Sequence, residues 1–206
     1  MITKEKLIEL NLLYKEAKPS DIIKKAFEFS HEAVVTTNFR PYEVAILHAV
    51  NSVKSNVDVV WCDTGYNTPQ TYRHANEIIE KLQLIVSLYV PQQTAAYRDV
   101  LMGIPGVDDP KHALFSEQVK LEPFRRAMEI HKPKVWFTNL RKGQTAFRDS
   151  IGIFSLSKDG VLKVSPFYYW SDTDLDAYLE EYNLPNEFKY FDPTKALENR
   201  ECGLHS

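Results

Sequence analysis

The chain is 206 residues long, 44% hydrophobic and 26% charged, with a formal net charge of -3. That is the composition of one globular domain with a sizeable core, and it excludes disordered, fibrous and low-complexity chains and any general electrostatic attraction to nucleic acid. No stretch approaches the ~20 consecutive apolar residues of a membrane helix, and the N-terminus has no signal-peptide core, so a cytoplasmic protein without membrane contact is expected.

In chain order, Leu7, Leu10 and Tyr14 recur at helical spacing over 4–17, behind a cap at Thr3. Ser20 is expected to cap a second helix carrying Ile22, Ile23, Ala26 and Phe27, so that 1–32 forms an N-terminal helical segment. Ala33–Thr37 reads as a strand, and Pro41 as the first residue of the next helix. Val57–Cys62 is a second strand, followed by the turn Asp63-Thr64-Gly65-Tyr66-Asn67 and a helix opened by Thr68-Pro69. Leu84–Val90 reads as a third strand, Thr94–Met102 as a helix, 103–112 as a loop, Ser116–His131 as a helix despite Pro123, and Lys134–Leu140 as a fourth strand. Asp159-Gly160 predicts a hairpin between Ile153–Ser157 and Val161–Ser165. Ser171 begins a helix burying Leu175, Tyr178 and Leu179, its capping box incomplete because Asp174 stands where Glu or Gln is usual. Residues 186–206 read as an irregular, mobile tail. This alternation predicts a single α/β domain over 1–206, a mainly parallel sheet flanked by helices.

Ligands of such sheets bind beyond the carboxyl ends of the strands. The turns 36–40, 63–68 and 140–148 all follow strands, and they converge on one edge only if the sheet is parallel. Thr36-Thr37-Asn38-Phe39 precedes a helix N-terminus, where hydroxyls and backbone N–H groups suit a phosphate or sulfonate, or form an ordinary cap. Neither a Gly-x-x-x-x-Gly-Lys loop nor a Ser-Gly-Gly-x-Asp-Ser loop is present. Arg141-Lys142-Gly143-Gln144-Thr145-Ala146-Phe147-Arg148 places three cations in eight residues, which fits either a polyanion site or a solvated charge run. Lys120, Arg125 and Arg126 read as surface cations of a helix.

The two cysteines, Cys62 and Cys202, cannot build a disulfide framework, a Cys-held iron–sulfur cluster or a Cys-rich zinc site, and the six histidines show no ligand-like pairing. No metal and no bound cofactor are expected. Cys62 lies in a strand and reads as a buried structural thiol. Cys202 lies in Arg200-Glu201-Cys202-Gly203-Leu204-His205, either as a nucleophile whose thiolate Arg200 and His205 stabilise, or as an inert terminal residue.

Glu201-Cys202-Gly203-Leu204-His205 resembles the C-terminal signature of the assimilatory sulfonucleotide reductases, the phosphoadenylyl-sulfate (PAPS) reductase family. Asp63-Thr64-Gly65-Tyr66 with Pro69-x-Thr71-Tyr72-Arg73, Lys120-x-Glu122-Pro123, Arg141-x-x-Gln144-x-x-x-Arg148, Lys163-Val164-x-Pro166 and Trp170-Ser171-Asp172 resemble further segments of that family, in the same order. The resemblance implies an adenine nucleotide α-hydrolase-like fold and thiol-dependent reduction of PAPS to sulfite and adenosine 3′,5′-bisphosphate. It implies Cys202 as the nucleophile, forming an S-sulfocysteine, with His205 and Arg200 beside the substrate. Lys120, Arg141, Lys142, Gln144 and Arg148 would hold its anionic groups, and Thr36, Thr37, Asn38, Phe39, Asp63, Thr64 and Gly65 would line the nucleotide pocket. Thioredoxin or glutaredoxin is the implied reductant and a homodimer the implied assembly; adenylyl sulfate is the alternative substrate, and a non-catalytic nucleotide-binding relative the alternative role. A chain with two cysteines cannot hold the four-iron cluster of the adenylyl-sulfate branch. Three features depart from the family pattern: Asn38-Phe39-Arg40 replaces Ser-Phe-Gly, Lys142 replaces an arginine, and the stretch before Arg200 is short.

Overall fold

The computed structural model describes residues 2–195. Strands β1 (Ala33–Thr37), β2 (Asp58–Cys62), β3 (Val86–Tyr89), β4 (Val135–Phe137), β5 (Phe154–Leu156) and β6 (Leu162–Val164) form one six-stranded sheet in the order β3-β2-β1-β4-β6-β5. Every neighbouring pair is parallel except the β5–β6 hairpin. Successive side chains on a strand point to opposite faces. Val35, Val59, Trp61, Val135 and Phe137 therefore enter one core, and Val34, Val60, Cys62 and Trp136 enter the other. Burial on both faces explains why the strands read as continuous apolar runs. The order reverses between β1 and β4, so the turns after these two strands open side by side at one edge, the usual ligand position in such sheets.

The helices are α1 (Lys4–Leu13), α2 (Pro19–Phe29), α3 (Glu43–Val53), α4 (Pro69–Leu82), α5 (Ala95–Leu101), α6 (His112–Ser116), α7 (Glu122–His131) and α8 (Asp172–Glu181). Helices α2 and α3 supply Ile22, Ile23, Ala26, Val44, Leu47 and Val50 to the first core; α7 supplies Ala127 to the second. Thr3 and Thr68 cap as their sequence positions predict, accepting from the N–H groups of Lys6 and Thr71 at 3.2 and 3.1 Å, and Thr94, expected inside its helix, caps it instead, accepting from the Tyr97 N–H at 3.2 Å. Ser20 does not cap: Lys18 precedes the helix and Pro19 takes its first position, where the missing proline N–H would have no partner anyway. Helix α3 starts at Glu43 rather than Pro41, because Tyr42 adopts the left-handed conformation (φ 68°) as the capping residue. The capping box of α8 is complete despite its aspartate: Ser171 N–H donates to Asp174 Oδ2 at 2.8 Å and Asp174 N–H donates to Ser171 Oγ at 3.2 Å.

The expected helix 116–131 is instead α6, one π turn (Glu117–Leu121) and α7. The Glu122 N–H reaches back five residues to the Glu117 carbonyl. A proline ring collides with the carbonyl four residues before it in a regular helix, and a wider turn ahead of Pro123 relieves that collision.

His48 of α3 lies 2.7 Å from the Tyr178 hydroxyl through Nδ1 and 3.3 Å from Ser52 Oγ through Nε2. Burial pushes its pKa below the ordinary 6.5, and the pKa of His74 is lowered in the same direction, also chiefly by burial. The folded state thus favours the neutral rings. Their stabilisation is complete above pH 6.5 and is lost as pH falls through the depressed values. Tm is expected to fall between pH 7.5 and pH 5, and His48→Gln to flatten part of that slope; an unchanged slope in the variant overturns the assignment.

Candidate active site

A cavity of about 70 Å³ lies at the β1/β4 reversal point. Thr36, Thr37 and Asn38 line it from β1, Cys62 from the end of β2, and Thr138, Asn139 and Leu140 from the turn after β4. Among the described residues, four basic side chains reach it from separate parts of the chain, Arg40, Lys120, Arg148 and Lys195, against two acidic ones, Glu43 and Asp192.

The β1 turn is organised by Glu43, the first residue of α3. Its Oε2 accepts the Thr37 hydroxyl at 2.8 Å and the Asn38 N–H at 2.6 Å, and its Oε1 pairs with Arg40 Nε at 2.7 Å. The positive end of the α3 dipole favours a carboxylate there. Two of the donors that the sequence offers to an exogenous anion are therefore taken by a resident one. Thr36 lines the cavity and accepts the Trp136 Nε1–H at 2.9 Å. Phe39 does not line it: with φ 52° its ring turns into the core, 4.8 Å from Trp61. The glycine-like backbone of this loop falls on Phe39 and Tyr42 rather than on Arg40, so arginine at position 40 carries no left-handed strain.

Lys120 is not a surface cation. Set on the π turn and only 3% exposed, it pairs with Asp192 Oδ2 at 2.6 Å and donates to Thr194 Oγ1 at 3.4 Å. Burial raises the Asp192 pKa, but the Lys120 charge and the hydrogen bonds from Lys120 and Thr194 prevail and hold it below the usual carboxylate value. Arg125 and Arg126 remain outside the cavity in ion pairs with Glu117 and Glu122.

The basic segment 141–148 divides. Arg148 is buried and lines the cavity; Gln144 Oε1 accepts from its guanidinium, and its carbonyl accepts the Tyr168 hydroxyl at 2.6 Å. Gln144 also accepts the Arg141 N–H at 3.1 Å, so it orients this turn without lining the cavity. Arg141 pairs with Asp172 at 2.6 Å, and Lys142 is exposed with its ammonium 5.9 Å from the Tyr169 ring centre; neither lines the cavity. The Asp63-Thr64-Gly65 turn adjoins Cys62 but closes on itself. Asp63 Oδ1 accepts from Gly65 N–H, Asn67 Nδ2 and the Tyr72 hydroxyl at 2.9, 2.8 and 3.0 Å, and Thr64 Oγ1 accepts from Tyr66 N–H at 3.2 Å.

Burial pushes the Cys62 thiol up to about 12, although Lys120 and Arg126 pull in the opposite sense, so it stays protonated at neutral pH. Arg200, Cys202 and His205 lie outside the described residues. The segment that leads toward them crosses the cavity. The Lys189 carbonyl accepts the Thr68 and Thr71 hydroxyls at 2.6 and 3.3 Å, and Tyr190, Asp192 and Lys195 contribute to the lining. Glu43, Asp192 and Lys195 had no role in the sequence reading. Asp192-Pro193-Thr194 is recognisable as a local turn, with Asp192 Oδ1 accepting from Thr194 N–H and Oγ1–H at 3.0 and 2.7 Å, but its partner 72 positions away is not. Among the described residues no group of three or more His, Cys, Asp or Glu side chains is placed to hold a metal, and no helix is long and apolar enough to cross a membrane.

Residues 32–191 match the family model described as the phosphoadenosine phosphosulfate reductase domain. The phosphoadenosine 5′-phosphosulfate reductase of Aliivibrio salmonicida is 30% identical over 226 residues, covering 97% of this chain and 88% of the relative. The phosphoadenylyl-sulfate reductase of Candida auris, solved as a phosphate complex, superposes with a TM-score of 0.78 at 22% identity, over 90% of each chain. The FMN adenylyltransferase of Candida glabrata, in complex with FAD and inorganic pyrophosphate, shares the fold more loosely, with a TM-score of 0.58 at 10% identity over 87% of this chain and 60% of that one. The fold is thus the adenine nucleotide α-hydrolase-like one, and the family is that of the matching model.

Proposed function

We propose that this chain, which belongs to the phosphoadenosine phosphosulfate reductase family, reduces 3′-phosphoadenylyl sulfate to sulfite and adenosine 3′,5′-bisphosphate in sulfate assimilation. The observation that carries the reading is the convergence of Arg40, Lys120, Arg148 and Lys195 on one cavity at the sheet's reversal point, in a chain whose net charge is negative. A local excess of cations inside an acidic protein suits a small polyanion.

The residues then divide the work. Lys120 and Arg148 offset the negative charge of the substrate, Arg148 held in place by Gln144. Arg141 and Lys142 act at the rim, since both have partners outside the cavity. Cys202 supplies the nucleophile, with Arg200 and His205 beside it. Its thiolate attacks the sulfonate sulfur, the bond from sulfur to the bridging oxygen breaks, and the bisphosphate leaves with that electron pair. The product on the enzyme is S-sulfocysteine. A thiolate of thioredoxin or glutaredoxin attacks the Cys202 sulfur and expels sulfite. The second thiol of the reductant resolves the mixed disulfide, so the dithiol is oxidised by two electrons and Cys202 returns to a thiol. Cys62 cannot serve as that second thiol, because burial keeps it protonated.

Purified protein with thioredoxin, thioredoxin reductase and NADPH is expected to release sulfite from 3′-phosphoadenylyl sulfate. Release from adenylyl sulfate alone assigns the substrate to the unphosphorylated nucleotide, and release from neither overturns the reading.

A further inference from the structure

We propose that Asp192 is a resident competitor of the substrate. Its carboxylate holds Lys120 until an anionic group of the nucleotide takes that position, and the exchange frees the strap formed by 189–195. The inference rests on the reading of Lys120 as a substrate-binding cation.

Three observations converge on it. Lys120 and Asp192 form a buried ion pair at 2.6 Å, with the carboxylate clamped from its own side by the Thr194 N–H and hydroxyl. The pair neutralises the lysine whose charge would attract a ligand. Next, the cavity measures about 70 Å³ with Tyr190, Asp192 and Lys195 in its wall. Pockets that seat small organic ligands run from ~300 Å³ upward. Three residues of the strap thus form part of the wall of a cavity smaller than such ligands need. Finally, the strap contains no helix or strand, and polar side-chain contacts hold it: the Lys120–Asp192 pair, and the hydroxyls of Thr68, the cap of α4, and of Thr71, which donate to the Lys189 carbonyl. A segment held in this way leaves its place more readily than a strand or helix.

An entering phosphate or sulfonate and the Asp192 carboxylate are like charges in a water-poor site, competing for one ammonium. Only a ligand bringing its own anion can repay the lysine for losing aspartate. A neutral nucleoside therefore leaves the strap in place, and a polyanionic nucleotide lifts it. The strap leads along the chain to Cys202, so loading of the cavity and release of the segment before the nucleophile become one event.

The test uses the full chain, adenosine 3′,5′-bisphosphate and adenosine as probes, calorimetry for affinity and amide hydrogen exchange for 189–195. In the native protein, exchange over 189–195 is expected to accelerate with the bisphosphate and to stay unchanged with adenosine. Asp192→Asn is expected to bind the bisphosphate about tenfold more tightly and to show fast exchange without ligand, whereas Asp192→Glu, which keeps the anion, retains native behaviour. Should Asp192→Asn fold poorly, Thr194→Val, which removes a clamp on the carboxylate, is expected to tighten binding by a smaller factor. Slower exchange on adding the bisphosphate, or unchanged or weaker affinity in Asp192→Asn, overturns the proposal. Lys120→Gln separates the two readings. If it leaves bisphosphate affinity intact, the assignment of Lys120 itself fails; if it weakens binding while Asp192→Asn does not tighten it, only the competitor role fails.

Discussion

Cys202→Ser is expected to lower sulfite release by at least about a thousandfold while leaving bisphosphate affinity within about twofold of native. A serine hydroxyl is a far weaker nucleophile toward sulfur and cannot be regenerated by a dithiol. The other cysteine offers no bypass, because its thiol is pushed up to about 12 in the second core. Sulfite assay and calorimetry read the two quantities separately. Mass spectrometry of the native protein mixed with the sulfonucleotide, before any dithiol is added, is expected to show an SO3 adduct on the peptide that carries Cys202. Persistent sulfite release by the serine variant, or an adduct on Cys62, ends the mechanism.

Glu43→Ala should destabilise the fold and damage the site together. The carboxylate is buried and joins the Thr37 hydroxyl, the Asn38 N–H and the Arg40 guanidinium. Removing it takes the acceptor from two donors and the ion-pair partner from Arg40 at once, a loss of about 3 kcal/mol by the usual cost of breaking a buried charged network. Urea unfolding measures that loss, and bisphosphate affinity is expected to weaken because the β1 turn no longer holds its shape. Glu43→Gln, which can still accept from one donor, should fall between alanine and native. A loss below about 1 kcal/mol in the alanine variant contradicts the organising role of this carboxylate.

The architecture was legible in the sequence because its signals are local. Ala33–Thr37 and the 153–165 hairpin follow from apolar runs and an Asp-Gly turn, and the Thr68-Pro69 helix start follows from a cap and a proline that needs no donor. Where competing local signals coexist, the sequence alone does not name the winner. Ser20 lost its capping place to the Lys18-Pro19 pair, and Pro123 imposed a π turn that periodicity does not announce. In the site, Thr36, Thr37, Asn38, Lys120 and Arg148 are brought to one cavity, whereas Phe39, Asp63, Gln144, Arg141 and Lys142 are directed to packing, turn geometry or ion pairs of their own. Residue type cannot tell these fates apart. Which cation faces inward depends on the phase of a distorted helix, and on an acid such as Asp192 that meets it only after the chain has folded back.

The π turn has a consequence for chain length. Each residue of a regular helix rotates the side-chain direction by about 100°. Lys120 must face the cavity while Ala127, further along the same stretch, must face the sheet. Adding or deleting one residue between 120 and 127 throws these two orientations out of phase, so an insertion harmless in the 103–111 loop would here either swing the ammonium away from its ligand or unseat the helix from the β-layer.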